Sequence, residues 1–245
     1  MEIAINRKQI TNKFLNAVSK LTDKCVMNIK PESVQTLTNN DDGSVVLFGK
    51  LDAKIDMAED QKDLQLNIPD VKKLTRILNC LEDENIKLKI NSNSLTYNSD
   101  NIKFTYHLLE DGIIENSVIS VDKINKLTFD CEFDLSSKKL SEILKSSTFT
   151  TESNKIYFFT KDNHVFAELT DKAINNLDSV TLMSAENFTG SEIKQVVPVS
   201  LEIFRLFAGF KKSIKVKINT SLKVLMFDIE DKDLTLKYIV SALVK

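Results

Sequence analysis

The chain has 245 residues, of which 42% are hydrophobic, so it can bury a sizeable core in one large domain or in two of about 120 residues. Its formal net charge of −2 argues against a simple DNA-binding protein, because such domains are usually basic. Three cysteines without CxxC spacing argue against a disulfide framework and against a zinc site, and they favour a reducing compartment.

Residues 1–7 lack the basic start and apolar stretch of a signal peptide, and no uncharged apolar run reaches membrane-spanning length. We therefore expect an intracellular, soluble protein that makes no contact with a membrane. The low content of glycine and proline, five and three residues, leaves little room for long linkers between domains.

Four short stretches repeat apolar residues with the 3.6-residue period of a helix that buries one face. In chain order, these stretches are residues 7–21, 70–81, 136–148 and 200–212. We expect Ser136 and Ser200 to cap the third and fourth helices, and Asp70, which follows Pro69, to begin the second. Most of the remaining chain alternates apolar with polar residues, as at 102–108, which predicts half-buried strands.

Short polar segments separate the predicted strands. Residues 40–43 (NDDG) and 161–163 (KDN) have the composition of hairpin turns. Residues 110–127 carry scattered apolar side chains without a clear period, so we interpret them as an extended connector between two halves.

The two halves of the chain resemble each other. The clearest match is IKLKIN at 86–91 with IKVKIN at 214–219. Three further blocks match in the same order: 25–29 with 155–159, Pro69 with Pro198, and 102–106 with 234–238. Over all four blocks the offset ranges from 128 to 132 residues. We infer an internal duplication, in which each half consists of a strand, a helix, several strands, a second helix and several more strands.

Positive charge is concentrated in the predicted helices. They hold thirteen of the 33 lysines and arginines but only three of the 35 aspartates and glutamates. Most of these cations avoid the apolar stripe, so each helix has one face for the core and one basic face. A basic surface within an acidic chain suits duplex DNA held through its phosphates without reading of the sequence. The alternative is that these are ordinary solvated lysines.

Catalytic motifs are missing from the sequence. It contains no GxxxxGK[ST], GxGxxG, GxSxG or HExxH pattern. We expect structural or surface roles for His107 and His164, and solvated loops at the acidic clusters 41–42 and 82–84. These observations predict a protein that is not an enzyme and needs neither a metal nor a cofactor; an enzyme with an unfamiliar site is the alternative.

Several features together resemble the DNA sliding clamp family, which includes proliferating cell nuclear antigen and the tailed-phage polymerase clamps. They are the duplicated halves, the basic helices, the Asp-rich turn before Val45, the connector at 110–127, and Leu236-Lys237-Tyr238 with its apolar tail. One departure is the absence of a proline near Ala242, where many cellular clamps have one.

The resemblance implies an α+β fold of two tandem DNA-clamp domains, each with antiparallel sheets outside and two short helices on the inner face. It places clamp domain 1 at residues 1–112, an interdomain connector at 113–127 and clamp domain 2 at 128–245. Three such chains would close a six-domain ring, a homotrimer held by contacts between edge strands.

A sliding clamp encircles double-stranded DNA and tethers the replicative polymerase and other DNA-processing proteins. The resemblance therefore implies DNA, a DNA polymerase and a clamp loader ATPase as partners, and a location at sites of DNA replication. That location is the nucleus, or the host cytoplasm for a viral or phage protein. Two alternatives remain open: a non-ring processivity factor of the same fold, and a β-rich viral structural or adaptor protein.

Three sets of candidate site residues follow from the basic faces and the resemblance. The DNA-binding set consists of cations on the predicted helices: Lys8, Lys13, Lys20, Lys72, Lys73, Arg76, Lys138, Lys139, Lys145, Arg205, Lys211 and Lys212. The partner-peptide pocket consists of apolar residues, which could alternatively only cap the core of the second domain: Val45, Ile119, Val121, Ile239, Ala242 and Leu243. The subunit interface consists of residues on two predicted edge strands: Ile102, Phe104, Tyr106, Val180 and Leu182.

Overall fold

The computed structural model describes residues 2–55, 57, 63–115, 117, 119–193 and 197–243. Within these residues, no helix has the length and apolar character needed to cross a membrane. The described residues form short helices and antiparallel sheets, which makes the protein α+β as expected.

The helices are few and short. Helix α1 is a π-helical segment, Gln9–Leu15, continued by the α-helical turn Asn16–Ser19. The other helices are α2 (Val71–Asn79), α3 (Val121–Asn125), α4 (Ser137–Ser146) and α5 (Glu202–Leu206).

Strands make up most of the ordered structure. In the first half they are β1 (Glu2–Asn6), β2 (Cys25–Lys30), β3 (Ser33–Asn39), β4 (Val45–Asp52), β5 (Leu64–Ile68), β6 (Asn85–Asn91), β7 (Ser94–Asn98) and β8 (Lys103–His107). In the second half they are β9 (Cys131–Leu135), β10 (Lys155–Lys161), β11 (His164–Leu169), β12 (Val180–Ala185), β13 (Thr189–Gly190), β14 (Val197–Ser200), β15 (Ile214–Asn219), β16 (Val224–Asp231) and β17 (Leu234–Ser241).

The chain divides into two compact units. Unit 1 comprises residues 1–125 and 230–236, and unit 2 comprises 126–229 and 237–245. In unit 1, the strands are ordered β1-β6-β7-β8 and β4-β3-β2-β5. In unit 2, the orders are β9-β15-β16-β17, with β13 added beside β9, and β12-β11-β10-β14. The same topology therefore occurs twice, in agreement with the inferred duplication, and the boundaries proposed for the domains remain a prediction.

An aromatic cluster forms the core of unit 2. Phe204 of α5 lies with its ring centroid 6.0 Å from that of Phe158, and the rings of Phe207 and Phe227 are 5.0 Å apart. Phe207 also contacts Tyr238 edge-on, at 5.1 Å between centroids. All five side chains are buried. Such tilted and edge-on pairs favour close packing, so the apolar stripe of the short helix α5 is held against the sheet.

Two of the three predicted helix starts are confirmed. The Asp70 carboxylate accepts a hydrogen bond from the Lys73 backbone N–H at 2.7 Å, and the Ser136 hydroxyl accepts one from Lys139 N–H at 3.2 Å. Each side chain satisfies a backbone donor that has no partner within the helix. The predicted hairpin turns are also present, between β3 and β4 and between β10 and β11.

The fourth helix is shorter than predicted. Ser200 ends strand β14, and Leu201 takes the N-cap position, although the Ser200 hydroxyl accepts a hydrogen bond from Glu202 N–H at 3.3 Å. The helix ends at Leu206, so Lys211 and Lys212 lie beyond it, contrary to our expectation. Gly209 has a φ angle of +94°, a left-handed conformation that turns the chain out of the helical path.

The connector also differs from the prediction. Residues 110–127 were expected to be extended, but the described part contains helix α3. The Ser120 carbonyl accepts a hydrogen bond from Ile124 N–H at 3.1 Å, and Ile124 is buried. One buried side chain per turn is too weak a periodic signal to reveal a five-residue helix in a sequence.

Gly190 occupies a position that no other residue fits. Its φ angle is +92°, and a Cβ atom placed on it would lie 2.1 Å from the Asp130 carbonyl oxygen. We expect Gly190→Ala to lower the free energy of unfolding by about 3 kcal/mol, because the backbone must shift and a strained φ angle must be kept. Chemical denaturation would measure the loss. Gly209→Ala is the matched control, since it has a similar φ angle but open space around the added Cβ; an equal loss in both variants would contradict the clash.

Candidate nucleic-acid interface and docking surfaces

The predicted basic faces of unit 1 are solvent-accessible. Lys8, Lys20, Lys72, Lys73 and Arg76 are exposed. They share helices with buried apolar residues on the opposite side, as the 3.6-residue period requires. Partial burial lowers the pKa of the Lys20 ammonium group. Unit 1 therefore presents cations to solvent from both α1 and α2.

Unit 2 has the corresponding arrangement. Lys138 and Lys145 of α4 are exposed and lie seven residues apart, which places them on one face of the helix. Arg205 of α5 is exposed as well. Lys211 and Lys212 are exposed on the loop that follows α5, so their positions depend on the turn at Gly209 and not on helical geometry.

Four of the candidate cations form ion pairs within their own unit. In unit 1, Lys13 lies 2.5 Å from Asp233, and Lys72 lies 2.9 Å from Asp23. In unit 2, Lys139 lies 2.9 Å from Glu142, and Arg205 lies 2.7 Å from Glu202. These pairs contribute little to stability because they are at least partly solvated, but they reduce the positive charge available to a ligand.

The sequence predicts some of these ion pairs and not others. Glu142 and Glu202 stand three residues from their partners on the same helix, a spacing that predicts contact. The hydrogen bond from Lys139 holds the pKa of Glu142 below its usual range. Asp233 is 220 residues from Lys13, and it also accepts a hydrogen bond from Gln9 at 2.8 Å. No sequence pattern signals that contact.

The two strands predicted to join subunits are both edge strands. Strand β8 ends the sheet β1-β6-β7-β8, and β12 begins the sheet β12-β11-β10-β14. Ile102, Phe104, Val180 and Leu182 are half-buried, so each retains some apolar surface that another chain could cover. An unpaired edge is a template for pairing with a further strand.

Tyr106 is placed differently from the other candidate interface residues. Its side chain is 3% exposed, and its hydroxyl donates a hydrogen bond to the Asp70 carbonyl at 2.7 Å and accepts one from Asp70 N–H at 3.0 Å. Burial raises the pKa of this phenol to about 12. Tyr106 therefore anchors the start of α2 to β8, and only its backbone is available at the edge.

The candidate pocket residues lie in different environments. Val45, in unit 1, and Ile239, in unit 2, are buried. Ile119 and Val121 of unit 1 are half-buried at the start of α3, and Val118 lies outside the described residues. In unit 2, Ala242 and Leu243 are also half-buried. These four half-buried residues are more accessible to solvent than Val45 and Ile239.

Backbone hydrogen bonds hold the end of the chain to unit 2. Ala242 N–H donates to the Lys223 carbonyl at 2.8 Å, and Leu243 N–H donates to the Pro198 carbonyl at 2.9 Å. These bonds fix the backbone of the residues that follow β17. A segment whose backbone is already fixed loses little conformational freedom when a partner covers it.

The cysteines and histidines do not form a reactive cluster. Cys25 and Cys131 are buried, Cys80 is exposed, and all three are free. Burial raises the pKa of the Cys25 thiol to about 12, which keeps it protonated and unreactive. His107 is exposed on β8, and His164 Nδ1 lies 2.6 Å from the Glu186 carbonyl oxygen. Among the described residues, no group of three or more His, Cys, Asp or Glu side chains is placed to hold a metal ion.

Comparison with known proteins identifies the fold. No family model matches the sequence, and no curated protein matches it either. Solved structures, in contrast, match along the whole chain. PCNA from A. fulgidus, solved with the C-terminal region of FEN-1 bound, has 11% sequence identity and a TM-score of 0.76, with 100% of this chain and 98% of that chain covered.

Two further structures agree with the first. Proliferating cellular nuclear antigen from Entamoeba histolytica has 15% identity and a TM-score of 0.73, covering 99% of this chain and 98% of its own. A putative DNA polymerase III beta subunit from Eubacterium rectale has 11% identity and a TM-score of 0.72, covering 100% of this chain and 66% of its own. The chain therefore has the sliding-clamp fold, as the sequence features suggested.

Proposed function

We propose that this chain is the subunit of a DNA sliding clamp, a ring that encircles double-stranded DNA and increases the processivity of a DNA polymerase. The observation that carries the proposal is the full-length match to PCNA structures at nearly equal chain length. A protein of this kind acts as a tether and not as an enzyme, so it needs no cofactor. Its work is done at sites of DNA replication, in the nucleus or in the cytoplasm of an infected host cell.

The ring proposal is supported by the two edge strands. A contact between β8 of one chain and β12 of another is heterologous, so repeated copies must either close into a ring or extend as a filament. Two clamp units per chain make a homotrimer the expected closed form. Closure also covers edges that would otherwise invite aggregation.

The DNA proposal is supported by the exposed cations at the two ends of α1 and on α2 and α4. Lys73, Arg76, Lys138 and Lys145 make no salt bridge with any described residue, so their charge remains available to phosphate groups. Contacts of this kind carry no sequence information, which permits movement along the duplex. Of the wider candidate set, Lys13, Lys72, Lys139 and Arg205 should contribute less because each is paired with an acid.

A test of the ring separates topological tethering from ordinary binding. The protein is loaded onto nicked circular DNA with a polymerase accessory ATPase, washed at high salt, and then released by linearising the DNA. A closed ring is retained on the circle and lost from the linear DNA. Release from both substrates at the same salt concentration would favour a non-ring processivity factor, and the absence of any DNA tethering would favour a structural or adaptor protein.

We further propose that partner peptides, from the polymerase and the loader, bind unit 2 at the apolar residue Leu243. We expect Leu243→Asp to abolish stimulation of the polymerase while leaving the subunit assembly intact, because a carboxylate replaces an apolar anchor for the peptide. Primer-extension length and light scattering would measure the two properties. Ile174→Asp, at another exposed apolar residue of unit 2, is the control. Undiminished binding of a polymerase tail peptide to Leu243→Asp in calorimetry would argue against this docking site.

A further inference from the structure

Strand β9 has a free edge in unit 2. It pairs with β15 along its whole length, from Cys131 to Leu135. On its other side, the two-residue strand β13 pairs only with Cys131 and Glu132. Among the described residues, no strand continues this pairing at Phe133 and Asp134, so backbone hydrogen-bonding groups on this side of β9 remain open to a further strand.

A cavity lies beside this free edge. Residues 186–188, which join β12 to β13, leave the path of β9 and do not pair with it. The resulting space has a volume of about 480 Å³ and is lined by β9, the end of β12, residues 186–189 and the start of α4. This volume is in the range of sites that hold small ligands or side chains.

One wall of the cavity contains a buried hydroxyl group without a partner. Ser184 lines the cavity and is 2% exposed, and its Oγ atom makes no hydrogen bond with any described residue. A buried hydroxyl without a partner costs free energy, and native proteins seldom leave one in this state. A polar group that reaches this wall of the cavity would supply the missing hydrogen bond.

The charges around the cavity favour a cation. Glu132, Asp134 and Glu186 contribute carboxylates, against the two ammonium groups of Lys139 and Lys215. The Lys139 ammonium is already bonded to Glu142 at 2.9 Å. Three carboxylates thus face one uncommitted lysine. The half-buried ring of Phe188 also lines the cavity and can cover the apolar stem of a long basic side chain.

We propose that unit 2 binds an extended, basic peptide segment of a partner protein by strand addition to the free edge of β9. The peptide backbone pairs with Asp134, which continues the ladder that β13 begins. An arginine or lysine side chain of the peptide enters the cavity, where the carboxylates of Asp134 and Glu186 and the Ser184 hydroxyl accept its hydrogen bonds. Strand addition supplies affinity, and the acidic cavity selects the side chain. This site uses none of the residues assigned above to subunit contacts or to the pocket at Leu243, and it does not require DNA.

The test uses the full-length protein and a short capped peptide, acetyl-Thr-Val-Arg-Val-Thr-amide, as the probe. In NMR titrations we expect the amide signals of Asp134, Ser184 and Thr189 to shift together as the peptide is added. Combining Asp134→Asn with Glu186→Gln is expected to weaken binding about tenfold or more, since two charge-assisted hydrogen bonds are lost. Ser184→Ala is expected to weaken it about threefold, through loss of a single neutral bond.

Matched probes distinguish the two parts of the proposal. Glu152→Gln removes an exposed carboxylate of unit 2 that does not line the cavity, and it should leave the affinity unchanged. A peptide with glutamate in place of arginine, and one with N-methylated backbone amides, should bind far more weakly than the probe. Equal binding of the glutamate peptide would overturn the acidic cavity as the selecting element. If the N-methylated peptide, or arginine amide alone, bound as tightly as the probe, strand addition would be overturned. If no amide signal shifted at a millimolar concentration of the probe, the site itself would be overturned.

Discussion

Leu182→Glu is expected to convert the assembled protein into a monomer. Leu182 is half-buried on the edge strand β12, where a second chain would cover it in the proposed ring. Burial of a carboxylate without a partner costs several kcal/mol, which corresponds to a loss of about a hundredfold or more in affinity at each contact. Because a ring contains the contact several times, assembly at micromolar concentration should be lost completely.

Light scattering coupled to size exclusion measures the mass directly. Leu222→Glu is the matched control, because Leu222 belongs to the same unit but lies at a turn, where it is 60% exposed. This variant should keep the mass of the unchanged protein, and both variants should unfold at similar temperatures. Assembly that survives in Leu182→Glu would rule out β12 as the joining edge, and an unchanged protein that is monomeric at micromolar concentration would rule out a stable ring.

Charge reversal on helix α4 is expected to weaken the retention of the protein on DNA. Lys138→Glu combined with Lys145→Glu should sharply reduce retention on duplex DNA, to the same extent for every DNA sequence. Both side chains are exposed and make no salt bridge with a described residue. The slope of log affinity against log salt concentration is negative, and each phosphate contact that is lost should reduce its magnitude by about 0.9. The affinity should therefore depend less on salt as well.

Controls for this result come from cations elsewhere in the protein. Lys87→Glu with Lys89→Glu alters two exposed cations on strand β6 and should leave DNA retention nearly unchanged. Arg205→Gln should have a smaller effect than Lys138→Gln, since Glu202 already neutralises much of the Arg205 charge. If the α4 double reversal left loading and polymerase processivity intact, these helical faces would not line the path of the DNA.

The parts of the fold that depend on neighbouring residues were predictable. The apolar stripes of α1, α2 and α4 follow from helical geometry, and Asp70 and Ser136 cap helices because a short polar side chain can reach the backbone N–H three residues later. The alternation of apolar residues at 102–108 predicted β8. The duplication was visible because four short sequence blocks recur in the same order, and both units repeat one strand order.

The sequence by itself thus determined the helical faces, the strand pattern, the duplication and the sorting of charge, because each depends on spacing along the chain. The tertiary structure decided the features that depend on distant residues. Phe207 packs into an aromatic core instead of extending α5, and Tyr106 turns inward to bond Asp70. Asp233 reaches Lys13 across 220 residues. The cavity beside β9 forms where residues 186–188 do not pair with β9, so that only Thr189 and Gly190 continue the ladder.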